Sequence, residues 1–281
     1  MSRHLRGILI LTLVTLIWGS TFVVVKGALE SFPPSLLMLL RFALGALVFL
    51  PLLPRSRGSW LAGFELGFWA FLGYASQTIG LLYTTAGRSA FITALSVVLV
   101  PLLAGLLGRR VRPLVWLGAL ASFVGVGLLA YDGSPPNPGD FWTLITAVTY
   151  ALYILALERH ARNHDPLVLA FTQLVWLTAL VGAWALVSGD LARLPQLAVP
   201  WAAVLYLTLA ATALTTWLMA VGQREVSAPE AAIVYSMEPV WAALFAYLVL
   251  GERLGLQGWL GGLLVVAAVI AAQLGGDAGE R

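Results

Sequence analysis

Two ionisable residues lie inside long apolar runs: Arg41 within Leu36-Leu37-Met38-Leu39-Leu40-Arg41-Phe42, and Glu238 within Ser236-Met237-Glu238-Pro239-Val240. In hydrocarbon an unpaired charge costs at least about 2.5–3.5 kcal/mol, so each needs a protein partner, water or a bound solute. The spot at Glu238 can serve as a hinge and as a proton or ligand contact. Pro239 lacks a backbone N–H and bends a helix that it enters, which makes Glu238 and Pro239 candidates for coupling or gating, with Arg41 beside them. The structural alternative is internal pairing, or a side chain that reaches the interface, the reading that suits Glu65 near one end of its run.

Helical spacing gathers milder groups into stripes: Thr208, Thr212, Thr215 and Met219; Ala231, Tyr235, Glu238 and Ala242; Ser89, Thr93 and Ser96; Tyr74, Gln77 and Thr78; Thr146, Tyr150 and Tyr153; Thr15, Trp18 and Phe22. Hydroxyls at such positions also serve helix packing, and aromatics also form interfacial belts. If the stripes converge, Trp18, Phe22, Tyr74, Gln77, Thr93, Ser96, Tyr150, Tyr153, Thr212, Thr215, Tyr235 and Glu238 line a cavity of hydroxyls, an amide and aromatic walls. That lining suits a small amphipathic solute.

Other chemistry is poorly provided for. The histidines, His4, His160 and His164, all lie near chain segments outside the apolar runs, which leaves no nucleophile–base pair and no His-Glu-x-x-His zinc motif. There is no cysteine and one lysine, Lys26, so thiolate and P-loop chemistry are absent, and no metal or cofactor is expected. An enzyme is not the expected class.

The elements that position these residues follow from composition. Hydrophobic residues make up 60% of the chain and charged ones 10%, against roughly 45–50% and about 25% in soluble domains. The apolar runs are the length that an α-helix needs to cross a bilayer. They fall near 6–26, 34–53, 60–82, 88–108, 113–131, 140–159, 166–188, 199–222, 228–250 and 255–274, which predicts an all-α integral membrane protein of ten spans. The first run is longer than a signal-peptide core and lacks a cleavage site, so it reads as a retained helix.

With the N-terminus inside, one side receives Arg3, Arg6, Arg55, Arg57, Arg109, Arg110, Arg112, Arg159, Arg162, Arg224 and Arg281, and the other only Lys26, Arg88, Arg193 and Arg253. The asymmetry places both termini in the cytoplasm. Arginines in short connectors read as topology determinants, not as a nucleic-acid surface.

The chain also repeats itself. Leu107-Gly108-Arg109-Arg110-Val111 leading to Trp116-Leu117-Gly118-Ala119-Leu120 aligns without gaps on Leu250-Gly251-Glu252-Arg253-Leu254 leading to Trp259-Leu260-Gly261-Gly262-Leu263. Trp18 falls opposite Tyr150 in the same superposition of halves. The expected organisation is a first repeat over 1–131, a connecting loop over 132–139 holding Pro135, Pro136 and Pro138, and a second repeat over 140–281. An odd number of helices per repeat makes the second copy enter the membrane inverted, a common construction of secondary transporters.

The ordered set Ile17-Trp18-Gly19-Ser20-Thr21-Phe22, Arg41-Phe42, Ala90-Phe91-Ile92-Thr93, Val100-Pro101-Leu102, Gln223-Arg224, Ser227-Ala228-Pro229-Glu230-Ala231-Ala232, Ser236-Met237-Glu238-Pro239 and Leu250-Gly251-Glu252-Arg253-Leu254 resembles the drug/metabolite transporter superfamily, EamA type. The resemblance covers essentially the whole chain. It implies ten helices in two inverted five-helix repeats, a bacterial inner-membrane location, a monomer or homodimer, and carriage of small metabolites, with the aromatic amino acid exporters as the comparison. Drugs or nucleobase-like solutes are the alternative cargo, and a receptor or scaffold is the alternative class. One departure is Gly108-Arg109-Arg110, where the second repeat keeps Gly251-Glu252-Arg253.

Overall fold

The computed structural model describes every residue except 1, 57, 131–134, 251–254 and 275–281. Arg57, Arg253, Arg281 and most of the Leu250–Leu254 motif therefore lie outside the described residues. Fourteen helices run α1 Arg3–Gly19, α2 Thr21–Leu29, α3 Pro34–Val48, α4 Trp60–Gly80, α5 Ala86–Thr93, α6 Ser96–Leu106, α7 Pro113–Ala130, α8 Pro138–Ala161, α9 Pro166–Val187, α10 Trp201–Thr208, α11 Thr215–Gly222, α12 Ala228–Tyr235, α13 Glu238–Leu250 and α14 Leu256–Leu274 among the described residues. A π-helical turn, Leu209–Leu214, joins α10 to α11.

End to end these make ten spans, because α1–α2, α5–α6, α10–α11 and α12–α13 are each one span interrupted. Arg3–Leu29, Arg88–Leu106, Pro138–Ala161, Pro166–Val187 and Trp201–Gly222 are long and apolar enough to cross a membrane. Proline opens α3, α7, α8 and α9, where its missing N–H is one that a helix start leaves unpaired anyway. Asn137 and Asp140 form a reciprocal capping box on α8, and the Asp165 side chain caps α9.

The interruptions follow a rule. Thr85 precedes α5 and Ser227 precedes α12; each of these helices is eight residues long, and each is followed by a two-residue break, Ala94-Leu95 or Ser236-Met237. Pro239 then falls in the first turn of α13, where it is tolerated. The bend expected at this proline is thus a complete break just ahead of it.

Packing obeys the same two-fold relation. The α4 helix lies along α8 as α11 lies along α1, and α6 meets α8 as α13 meets α1. The contacts of α3 with α9 and of α7 with α14 map onto themselves. Two compact trios result: α4, α5–α6 and α8 form one, and α1–α2, α10–α11 and α12–α13 the other. Glycines permit the closest approaches, as where Gly125 and Gly261 set α7 against α14 with no room for a Cβ on either.

At the end of the bundle that carries the N-terminus, the carboxylates are paired rather than left to reach solvent. Glu65 bonds Arg159 and His160 (2.8 Å), and Glu158 meets Arg109 (2.6 Å) and Arg162 (2.9 Å). Glu65 lies near the start of α4 with its side chain 36% exposed, and its ion pair there ties α4 to α8.

Candidate functional site

A cavity occupies the centre of the bundle between the two trios. Its wall carries Trp18, Phe22, Arg41, Tyr74, Gln77, Thr93, Ser96, Tyr150, Tyr153, Tyr235, Glu238 and Pro239 from six different spans. Along α4 the lining runs from Ala70 to Leu81, so the cavity extends from mid-bundle toward the end away from the N-terminus.

Arg41 is 3% exposed and has no carboxylate partner among the described residues. Its Nε donates to Thr212 Oγ1 and its Nη2 to the carbonyl of Ala211 (2.9 Å). The guanidinium carbon lies 5.0 Å from the Tyr74 ring centre and 5.3 Å from that of Phe42, a cation–π arrangement that keeps the charge without neutralising it. Across the cavity the Glu238 carboxylate is partly exposed to the cavity space and makes no hydrogen bond or ion pair among the described residues. The site therefore offers one cation, Arg41, and one titratable carboxyl, Glu238, on a wall that also carries Tyr74 and Tyr150.

That wall is tightly organised. Tyr74 and Tyr150 meet edge to face at 5.7 Å, Phe42 and Tyr74 tilt together at 5.1 Å, and Trp18 lies 5.8 Å from Tyr235. Several polar tips are held by neighbours within the wall or behind it. Tyr153 donates to Gln173 (3.3 Å), Tyr235 to Gln223 (3.2 Å), Gln77 to Thr93 (3.3 Å) and Trp18 Nε1 to Thr215 (3.3 Å).

Thr212 and Thr215 are the two site candidates that do not line the cavity. Each is 1% exposed and stands behind the wall, holding Arg41 and Trp18 respectively. Thr212 lies inside the π turn, which takes it out of the regular α-helical stripe, and Thr216 lines the cavity beside Met219. Gln173, Met38, Phe42 and Thr21 also line the cavity without having been singled out. Gln173 had one available signal: it is an amide in the middle of an apolar span.

The cavity contents follow the two-fold relation in position but not in charge. Arg41 and Gln173 each stand seven residues beyond the proline that opens their helix, Pro34 or Pro166. Ser96 and Glu238 each begin the second part of an interrupted span. Trp18 and Tyr150 face the cavity from the first span of each half.

The profile of the EamA-like transporter family matches residues 5–131 and 137–272. An uncharacterized transporter of Archaeoglobus fulgidus is 35% identical over 278 residues, covering 97% of this chain and 87% of its own length. A biotin transporter of Escherichia coli is 25% identical over 249 residues, covering 81% of this chain and 80% of its own. A solved crystal structure superposes with a TM-score of 0.74 at 20% identity, covering 98% of this chain and 99% of its own, which shows the fold. With its broken helices and central cavity, the chain belongs to the EamA-like transporter family and is a multi-pass membrane transporter of the drug/metabolite transporter superfamily, not an enzyme.

Proposed function

We propose that the protein is a secondary transporter of small amphipathic metabolites, amino acids including aromatic ones, working by alternating access between the two trios in a bacterial plasma membrane, with both termini cytoplasmic. The observation that carries this reading is that Arg41, which has no carboxylate partner among the described residues, and the titratable carboxyl of Glu238 line one cavity walled by Trp18, Tyr74, Tyr150 and Tyr235. A zwitterion with an apolar side chain matches that wall: its carboxylate faces Arg41, its ammonium faces Glu238, and its side chain lies on the rings. The cavity is complete within one chain, so a monomer suffices. Coupling to protons is assigned to Glu238, the titratable carboxyl of the wall.

A second reading has its own support. Arg41 alone suits any amphipathic carboxylate, and one relative is named a biotin transporter. The test is uptake of labelled phenylalanine, tryptophan and biotin into liposomes holding the purified protein, with and without a pH gradient, alongside Glu238→Gln. Saturable uptake of the amino acids supports the zwitterion, and loss of a pH-driven component in the variant assigns coupling to Glu238. Uptake of biotin alone replaces the amino acid assignment with the carboxylate one; no uptake of any amino acid from folded protein overturns it.

A further inference from the structure

Among the described residues, polar contacts within each trio outnumber those that cross from one trio to the other. Within the first trio Ser76 meets Thr146 (2.8 Å) and Arg88 holds Asp140 with two bonds of 2.7 Å. Within the second, Trp241 Nε1 donates to Thr15 (3.1 Å). The crossings are different in number and kind. At the end away from the N-terminus, Lys26 Nζ donates to the Thr84 carbonyl (2.8 Å). At the N-terminal end, Gln223 Nε2 at the close of α11 donates to the Ile154 carbonyl of α8 (3.0 Å), and Arg112 approaches Glu230 at 3.7 Å.

From this division we infer that Gln223 is the gate residue of the N-terminal face, tied to the cavity wall through Tyr235. The inference rests on the alternating-access reading above. Gln223 is 0% exposed, and its amide can sit only one way round, because a carbonyl accepts but does not donate: nitrogen faces Ile154 and oxygen must then face the Tyr235 hydroxyl. Both residues at the far ends of these bonds, Ile154 and Tyr235, line the cavity. One side chain thus joins opposite trios directly behind the wall. Opening this face breaks the Ile154 bond, and anything that draws the Tyr235 hydroxyl into the cavity releases the amide that makes it.

Because the chain has no cysteine, a single one reports access. Ala94→Cys places a thiol on the cavity wall, and a membrane-impermeant maleimide is applied to vesicles of each orientation, with no solute present. Gln223→Met keeps the shape and removes both bonds. It is expected to raise the labelling rate from the N-terminal face by about fivefold relative to the rate from the other face, the population shift that loss of one net hydrogen bond produces. Tyr235→Phe removes only the bond to the amide oxygen, leaving the Ile154 bond in place, and gives a smaller rise in the same direction. Labelling from both faces in the parent, with a ratio unchanged in both variants, overturns the gate and leaves alternating access standing. Labelling from one face only, in the parent and in both variants, overturns alternating access and the gate with it.

Discussion

Replacing Gly73 by alanine tests whether the aromatic wall is held rigidly. A Cβ built on Gly73 lies 2.2 Å from Tyr150 Cε1 and 2.4 Å from Cδ1, so the ring must retreat by about 1.2 Å to reach ordinary van der Waals contact. The ring borders the cavity, where Tyr150 meets Tyr74 edge to face and Tyr74 lies under Arg41. Overpacking of this kind costs about 1–3 kcal/mol, and the better helix propensity of alanine offsets about 1 kcal/mol of it. Gly73→Ala is therefore expected to lower stability by about 0–2 kcal/mol, while uptake of a transported solute shows a raised KM. Adding Tyr150→Ala removes the clash, so the double variant is more stable than the sum of the singles requires, by about 1 kcal/mol or more. Thermal unfolding in detergent and uptake by proteoliposomes measure the two quantities. Stabilisation by about 1 kcal/mol with an unchanged KM would refute the reasoning, because it means the ring yields freely.

Two further outcomes follow from the end away from the N-terminus. Arg88→Ala leaves Asp140, whose side chain is 17% exposed, without its bidentate partner and should lower stability by about 1–3 kcal/mol. Exchanging the two residues should recover only part of that in thermal unfolding, because Asp140 also bonds the Asn137 N–H in the α8 cap. Full recovery would show that the cap contributes nothing. Burial disfavours the Asp190 carboxylate, but hydrogen bonds from Ser35 and Ser188 and the charge of Arg193 outweigh this and hold its carboxyl below the ordinary range. A lowered folded value means that the stabilisation is full above the ordinary carboxylate value of about 4 and disappears as pH falls through the folded one. Asp190→Asn should thus be slightly less stable than the parent at neutral pH, by under about 1 kcal/mol, with the gap closing below pH ~4. A gap that stays constant on acidification would exclude this linkage.

The spans were legible in the sequence because a bilayer demands a fixed length of apolar residues and tolerates few charges within it. For the same reason Arg41 and Glu238 stood out: in such runs a charge is costly enough to need an explanation. The misplacing of Thr212 has an equally physical source. A π turn adds one residue to a helical turn without a residue signature of its own, so Leu209–Leu214 looks like any other apolar stretch and the stripe drawn through it goes out of register. The breaks after α5 and α12 were half visible, since Pro239 marks the second, while Ala94-Leu95 contains nothing that stops a helix. Pairs such as Arg88 with Asp140 and Gln223 with Ile154 join residues far apart in the chain, and no local pattern encodes them.

The unequal sharing of charge between equivalent positions bears on ancestry. Two copies of the first half, assembled about a two-fold axis, would bring together two arginines and two serines at the places now held by Arg41, Gln173, Ser96 and Glu238. Two copies of the second would bring two glutamines and two glutamates. Neither homodimer contains both a guanidinium and a carboxyl, so today's site is a property of two halves that differ at these positions.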